Sequence, residues 1–281
     1  MINFNGKLVS EEEAILHYQN RGLRFGDALF EDIRVPGGKL VFWEAHYLRL
    51  MSSMRIIRME IPMQFTMEYL ESEILKTIDA SGIPGSSAQV RLTVFREGGG
   101  DYFPSPNEIS WLVEAIPLIS PFFLMDDSDY EIELFKDFYV NEDLLSTLNS
   151  GNKLLQVAGS IYRKENGYND CLLLNQRKMV VQALNANLFL VSGRHVKTPP
   201  LSDGCLNGII RGKLLEIIGK LEAYTVEEAS ISPFDLQRAD ELFLTNSLMG
   251  IRSITQYRKA RFGNEVAADL LGKLNALARL G

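Results

Sequence analysis

The sequence is poor in the residues that anchor several common chemistries. It has only two cysteines, Cys171 and Cys205. They are too few and too widely spaced for a disulfide framework or a Cys-x-x-Cys metal site, and they read as small buried hydrophobes. The three histidines, at 17, 46 and 195, show no ligand spacing, so no metal site is expected. There is no GxSxG elbow, P-loop, HExxH pair or dinucleotide fingerprint after a strand. The run Gly98-Gly99-Gly100 is not followed by a helical pattern and reads as a hairpin loop, not a phosphate cradle. No apolar run approaches bilayer length, and MINFNGKLVSEEE lacks the basic-then-apolar order of a signal segment. The expected compartment is therefore cytoplasmic, with no membrane partner. A basic excess is also missing: the net charge of −7 argues against a nucleic-acid partner.

What is present is an ordinary globular composition, 46% hydrophobic and 23% charged, in 281 residues, a length suited to two domains of moderate size. INFNGKLV reads as a hairpin about Asn5-Gly6, and ALFEDIRVPGGKLVFW as a second hairpin about Pro36-Gly37-Gly38. EAHYLRLMSSMRII changes to a helical period, with Leu48, Met51 and Ile56 on the expected buried face. TMEYLESEILKTIDASG is a second amphipathic helix stopped by Gly82, and AQVRLTVF and EISWLVEAI are strands. IPLISPF (116–122), with two prolines, is the best linker, giving domains over 1–118 and 127–281 joined by 119–126. The second domain reads as the strand YEIELF, the polar turn STLNSGNK (146–153) and the helix KLLQVAGSIYRKENG. The strands DCLLLN, KMVVQA and ANLFLVSG follow, then a helix from Gly208 to Ile218, the strands YTVEEASI and ELFLTNS, and a closing helix EVAADLLGKLNALARL.

Two places in this second half suit an anion. Leu206-Asn207-Gly208-Ile209-Ile210-Arg211 opens a helix after a strand and loop, where free N–H groups and the positive dipole end gather. Thr245-Asn246-Ser247 ends a strand with small hydroxyl and amide side chains, which serve equally as turn formers.

Six stretches in fixed order, RGLRFGDALFEDIRV, EAHYLRL, NGYNDCLLLN, VVQALNANLFLVSG, SDGCLNGIIR and ADELFLTNSLMGI, resemble the class IV, fold-type IV pyridoxal-phosphate enzymes. That family holds branched-chain aminotransferases, D-amino-acid aminotransferases and aminodeoxychorismate lyases. The resemblance spans nearly the whole chain. It implies an α+β fold with a small N-terminal α/β sandwich and a larger C-terminal barrel-like sheet with helices, a homodimer, and pyridoxal 5′-phosphate as cofactor. It also implies that Arg49 binds the cofactor phosphate, together with the backbone N–H groups of Ile209 and Ile210 and with Asn246 and Ser247. A guanidinium fork matches a phosphate in shape and charge. On the substrate side the resemblance points to Phe30 and Arg91. Core packing for Phe30 and an edge-strand surface position for Arg91 are the plain alternatives.

At two positions the sequence departs from the family. Pyridoxal phosphate chemistry uses a lysine amine for the Schiff base and a carboxylate facing the pyridine nitrogen. The register set by Asn152 and Gly167 puts the lysine position at Asn149, whose amide is not a useful nucleophile. VVQALNANLF puts Gln182 at the carboxylate position, where it can hydrogen-bond the ring nitrogen without stabilising a pyridinium by charge. Lys153, about 6 Å further along a helical axis, is the nearest and an unfavoured substitute.

The resemblance thus implies amino-group transfer on a small amino acid or keto acid, as in branched-chain aminotransferases or aminodeoxychorismate lyases. The departures imply the alternative: an inactive relative that holds a phosphate-bearing ligand without a Schiff base. The cofactor would then be bound non-covalently or be absent.

Overall fold

The computed structural model describes residues 1–13, 16–105 and 107–280. The chain divides into two units, and not linearly: the first takes residues 1–122 and also 149–152, and the second takes 123–148 and 153–280.

In the first unit, β1 (Ile2–Phe4) and β2 (Lys7–Val9) form the hairpin, with Asn5 and Gly6 both at positive φ. The short helix α1 (Arg21–Phe25) follows, capped by Asn20, whose side chain accepts from the Leu23 N–H. After it, β3 (Ala28–Val35) runs against β4 (Ala88–Arg96), and β4 against β5 (Ile109–Pro117). The antiparallel sheet has the order β2-β1-β5-β4-β3.

The second expected hairpin does not form. Pro36–Gly38 is a 3-10 turn, and the chain then enters α2 (Trp43–Ile56) directly. Phe42, in the left-handed region at φ 55°, redirects KLVFW out of the sheet. A short apolar run does not distinguish a strand from the approach to a helix. The buried face of α2 matches the expected one in part: Met51 is buried, but Leu48 is not. Leu48 is 57% exposed, while His46, Leu50, Met51 and Met54 are buried. The helix α3 (Met67–Ala80) buries Leu70, Ile74 and Ile78, and Gly82 follows at positive φ. Residues 149–152 extend this unit at β3. Phe30 N–H donates to the Asn149 carbonyl at 2.9 Å, and Gly151 N–H to the Ala28 carbonyl at 2.8 Å.

In the second unit, β6 (Glu131–Val140) runs parallel to β7 (Asp170–Asn175), and α4 (Leu154–Asn166) lies between them in sequence. Gly167 in the left-handed region ends α4. The strands β8 (Val180–Ala183), β9 (Asn187–Ser192) and β10 (His195–Thr198) continue antiparallel from β7. α5 (Ile209–Ile218) leads to β11 (Thr225–Glu228), which lies parallel to β10. The short helix α6 (Pro233–Leu236) carries a capping box from Ser232 and Asp235. β12 (Glu241–Asn246) pairs with β9 and with β13 (Gly250–Ile254). β14 (Gln256–Tyr257) and β15 (Ala260–Arg261) close the sheet beside β6, and α7 (Glu265–Leu280) ends the chain. β9 therefore touches three strands, β8, β10 and β12, and the sheet branches there.

One face of the sheet packs Leu134, Leu172, Leu188, Leu242 and Ile254 into the main core. The opposite face carries Phe135, Leu173, Val181 and Cys205. Both cysteines are free and buried, and burial pushes their thiols up, Cys171 to about 12 and Cys205 to about 11. Among the described residues, no helix is long and apolar enough to cross a membrane, and no cluster of side chains could hold a metal ion.

Candidate functional site

The second unit contains a polar row that begins at the end of β8. Gln182 pairs across the β8–β9 hairpin with Asn187, and Asn187 pairs across β9–β12 with Thr245. Directly opposed residues on antiparallel strands put their side chains on one face. Gln182, Asn187 and Thr245 thus form a line over three strands, on the face that carries Leu173, the partner of Gln182 on β7. All three are buried.

The row holds the approach to α5. Gln182 Oε1 accepts from the Leu206 N–H at 2.7 Å, and Asn187 Nδ2 donates to the Leu206 carbonyl at 2.8 Å. One residue's backbone is gripped at both polar ends by neighbouring strands. Asn207 N–H then donates to the Thr147 carbonyl at 3.1 Å. Gly208 comes next because a Cβ there would collide with Asn187 Oδ1. α5 starts at once with Ile209 and Ile210, and its N-cap residue, Gly208, has no side chain with which to cap it. Its leading N–H groups are left to other partners. Arg211 turns away from this end: it is buried, donates to the Pro199 carbonyl at 2.9 Å and pairs with Glu228.

Two groups in the row have unspent capacity. Thr245 Oγ1 is buried with no hydrogen-bond partner among the described residues. Gln182 is 8% exposed; its Oε1 is committed to Leu206, and its Nε2 makes no hydrogen bond among the described residues. An unpaired buried polar group costs about 1–3 kcal/mol, and in this row Thr245 Oγ1 is the buried atom that carries such a cost.

Asn246 is spent locally. Its Oδ1 accepts from the Leu248 and Met249 N–H groups at 3.0 and 2.9 Å, and its Nδ2 donates to the Asn185 carbonyl. Ser247 follows in the same turn, half-buried. Lys153 is the N-cap residue of α4.

The remaining expected residues, Phe30, Arg49, Arg91 and Asn149, lie in the first unit. Phe30 and Arg91 come together, the guanidinium 4.5 Å from the ring centroid, with Arg91 also paired to Asp32 at 2.7 Å. Arg49 is on the other face of that sheet, on α2. Its Nε donates to Glu31 Oε1 at 2.8 Å, and its Nη2 bonds Glu31 Oε2. His46 Nδ1 lies 2.6 Å from the same Oε2. Burial by itself pushes Glu31 up, but Arg49 and His46 more than offset it and hold the carboxyl below the usual range. Asn149 does not cap α4. Its carbonyl serves β3, and the cap position passes to Lys153 because residues 149–152 extend along β3 before the helix begins.

Asn187 is a site component outside the expected set, and the Leu206 stretch, expected to suit an anion, enters the row through a backbone peptide held by Gln182 and Asn187. The hairpin turn between VVQ and NLF would have put Asn187 opposite Gln182, whereas nothing in the sequence ties either to Leu206. Glu31 and His46, which bind Arg49, stand inside quoted motifs, but their partnership depends on the packing of α2 on β3.

Residues 28–257 match the family model described as amino-transferase class IV. The chain belongs to the class IV aminotransferase family. A protein of Methanocaldococcus jannaschii, provisionally named a branched-chain-amino-acid aminotransferase, is 28% identical over 97% of this chain and 93% of its own. The aminodeoxychorismate lyase of Vibrio harveyi is 25% identical, covering 84% of this chain and 85% of its own. Among solved structures, the branched-chain amino acid aminotransferase of Thermobaculum terrenum, in its PLP-bound holo form, superposes with a TM-score of 0.84. That match covers 99% of this chain and 93% of the other at 21% identity. The class IV chain therefore has the fold-type IV architecture of these enzymes, with mixed α+β units and a branched sheet in the second.

Proposed function

We propose that this class IV protein binds a phosphate-bearing ligand of the pyridoxal phosphate class non-covalently and does not perform lysine-dependent amino-group transfer. The observation that carries the reading is Asn149, an amide at the position where the family resemblance requires the lysine. Its lone pair is delocalised, so it neither attacks a carbonyl nor shuttles a proton near neutral pH.

The residues fit one part of the cofactor and not the other. The start of α5, whose N-cap is a glycine, and the Thr245 hydroxyl, without a partner among the described residues, suit a phosphate ester. Asn149 does not suit covalent anchoring, and Gln182 does not suit a pyridinium. No catalytic step through the cofactor follows from this set.

The test combines calorimetry and mass spectrometry on the purified protein. Pyridoxine 5′-phosphate should bind, while incubation with pyridoxal phosphate should give no band near ~420 nm and no borohydride-stable lysine adduct. An adduct on Lys153 would overturn the reading. Arg49→Ala probes the phosphate role implied by resemblance: unchanged affinity would remove Arg49 from the site.

A second reading, amino-group transfer on a small amino acid or keto acid by a homodimer, is favoured by the match over nearly the whole chain. Asn149→Lys combined with Gln182→Glu tests the placement of these two residues and should create the covalent adduct that the wild type lacks. A double variant that binds the probe but stays colourless would count against the proposed register.

A further inference from the structure

Gln182 presents one half of its amide to the protein and keeps the other. Its oxygen is fixed by the Leu206 N–H at 2.7 Å. That partner is a backbone donor with no acceptor capacity, so it settles which end of the amide faces it. Turning the amide over would set two donors against each other and leave the Leu206 N–H unmet. The Leu206 backbone cannot readily shift to accommodate this, because Asn187 Nδ2 holds its carbonyl at 2.8 Å and Gly208 packs against Asn187 Oδ1. The unspent group of Gln182 is therefore a neutral N–H donor, in a residue more than nine-tenths buried and in the same polar row as Thr245, whose hydroxyl, without a partner among the described residues, lies two strands away beyond Asn187.

From this polarity we infer that the site selects a ligand ring presenting a neutral hydrogen-bond acceptor to Gln182, a pyridine nitrogen without its proton. This rests on the proposed binding of a phosphorylated pyridine. A protonated or alkylated nitrogen would meet a like-signed N–H dipole and have no lone pair to offer. A carboxylate at 182 would reverse the selection: one oxygen would still accept from Leu206, and the other would face the ligand as an anionic acceptor. The departure at 182 is then a change in which ring protonation state is bound.

The probe is 4-deoxypyridoxine 5′-phosphate, which has no aldehyde and so binds only non-covalently, labelled with ¹⁵N at the ring. Its nitrogen shift in the complex should be that of an unprotonated pyridine at a pH where the free probe is substantially protonated. Affinity should rise as pH increases through the free ligand's ring pKa. The N-methyl analogue should bind about tenfold or more weakly, the size expected when one buried donor loses its acceptor. In Gln182→Glu the ring nitrogen should become protonated and the pH trend reverse. A protonated nitrogen in the wild-type complex, or affinity that falls as pH rises, overturns the inference while leaving phosphate-ligand binding intact. Failure of both probes to bind the wild type overturns the proposed function and this inference with it. The wild-type measurements decide the matter even if the variant does not fold.

Discussion

The two units bury polar groups in opposite ways. In the first, Glu31, His46 and Arg49 form a charged cluster whose members bind one another under the sheet. In the second, Gln182, Asn187 and Thr245 form a neutral row that grips one loop residue's backbone and leaves a donor and a hydroxyl without a partner among the described residues. The charged cluster supplies its own counter-charges, as a buried ion pair must if it is to persist. The neutral row leaves hydrogen-bonding capacity open at the start of a helix. The difference is between polar groups that satisfy one another and polar groups that leave capacity open, and residue identity alone does not reveal it.

The most severe break in this comparison is Glu31→Ala. It removes the carboxylate that both Arg49 and His46 bind and should cost about 3–5 kcal/mol, read as a lower midpoint in chemical denaturation. Because the Glu31 pKa is depressed in the folded protein, its stabilisation is full above the ordinary carboxylate range and is lost as pH falls through the depressed value. Glu31→Ala should accordingly flatten the acid limb of the stability profile.

Next in size are Gln182→Leu and Asn187→Ala. Each removes one grip on the Leu206 backbone, and each should cost about 1–3 kcal/mol by the same measurement. A loss in either variant comparable to that of Glu31→Ala would erase the distinction between the units.

Thr245→Val should behave differently from all of these. It removes a buried hydroxyl that has no partner among the described residues, so stability should hold or rise by about 1 kcal/mol, while affinity for a phosphorylated pyridine falls. A clear loss of stability would show that the hydroxyl serves the fold.

The smallest effect concerns Asp170. Burial raises its pKa, opposed by the Cys171 and Leu184 N–H groups and the Tyr130 hydroxyl. The folded state thus holds the proton more tightly than the unfolded one. Asp170 favours folding at acid pH, and that contribution declines as pH rises through the raised value. Asp170→Asn should remove this slope in a pH series of melting temperatures and change the midpoint little.

Much of the fold is legible because long amphipathic periods are hard to mistake. MEYLESEILKTIDA and EVAADLLGKLNALARL fold as the helices their spacing predicts. What escaped was short or directed by distant packing. KLVFW has strand-like composition, but Phe42 at positive φ commits it to α2. HVKT and GIRSI become strands because β9 and β12 stand ready to pair with them. Leu48 has the spacing of a buried residue, yet the face of α2 that packs is the one bearing Leu50 and Met54. The site is legible in the same uneven way. The identities at 149 and 182 are plain in sequence; the orientation of the Gln182 amide depends on a peptide 24 residues away.

Residues 149–152 sit in one unit while both of their flanks belong to the other. During synthesis, β3 leaves the ribosome long before the segment that bonds its Ala28 carbonyl and Phe30 N–H. Closing so long a loop is entropically slow, so that edge of β3 waits, unpaired, until the start of the second unit has been made. A fragment ending at Phe122 would keep the edge exposed and be prone to self-association through it. The four residues around Asn149 therefore also serve as a late-arriving cover for the first unit.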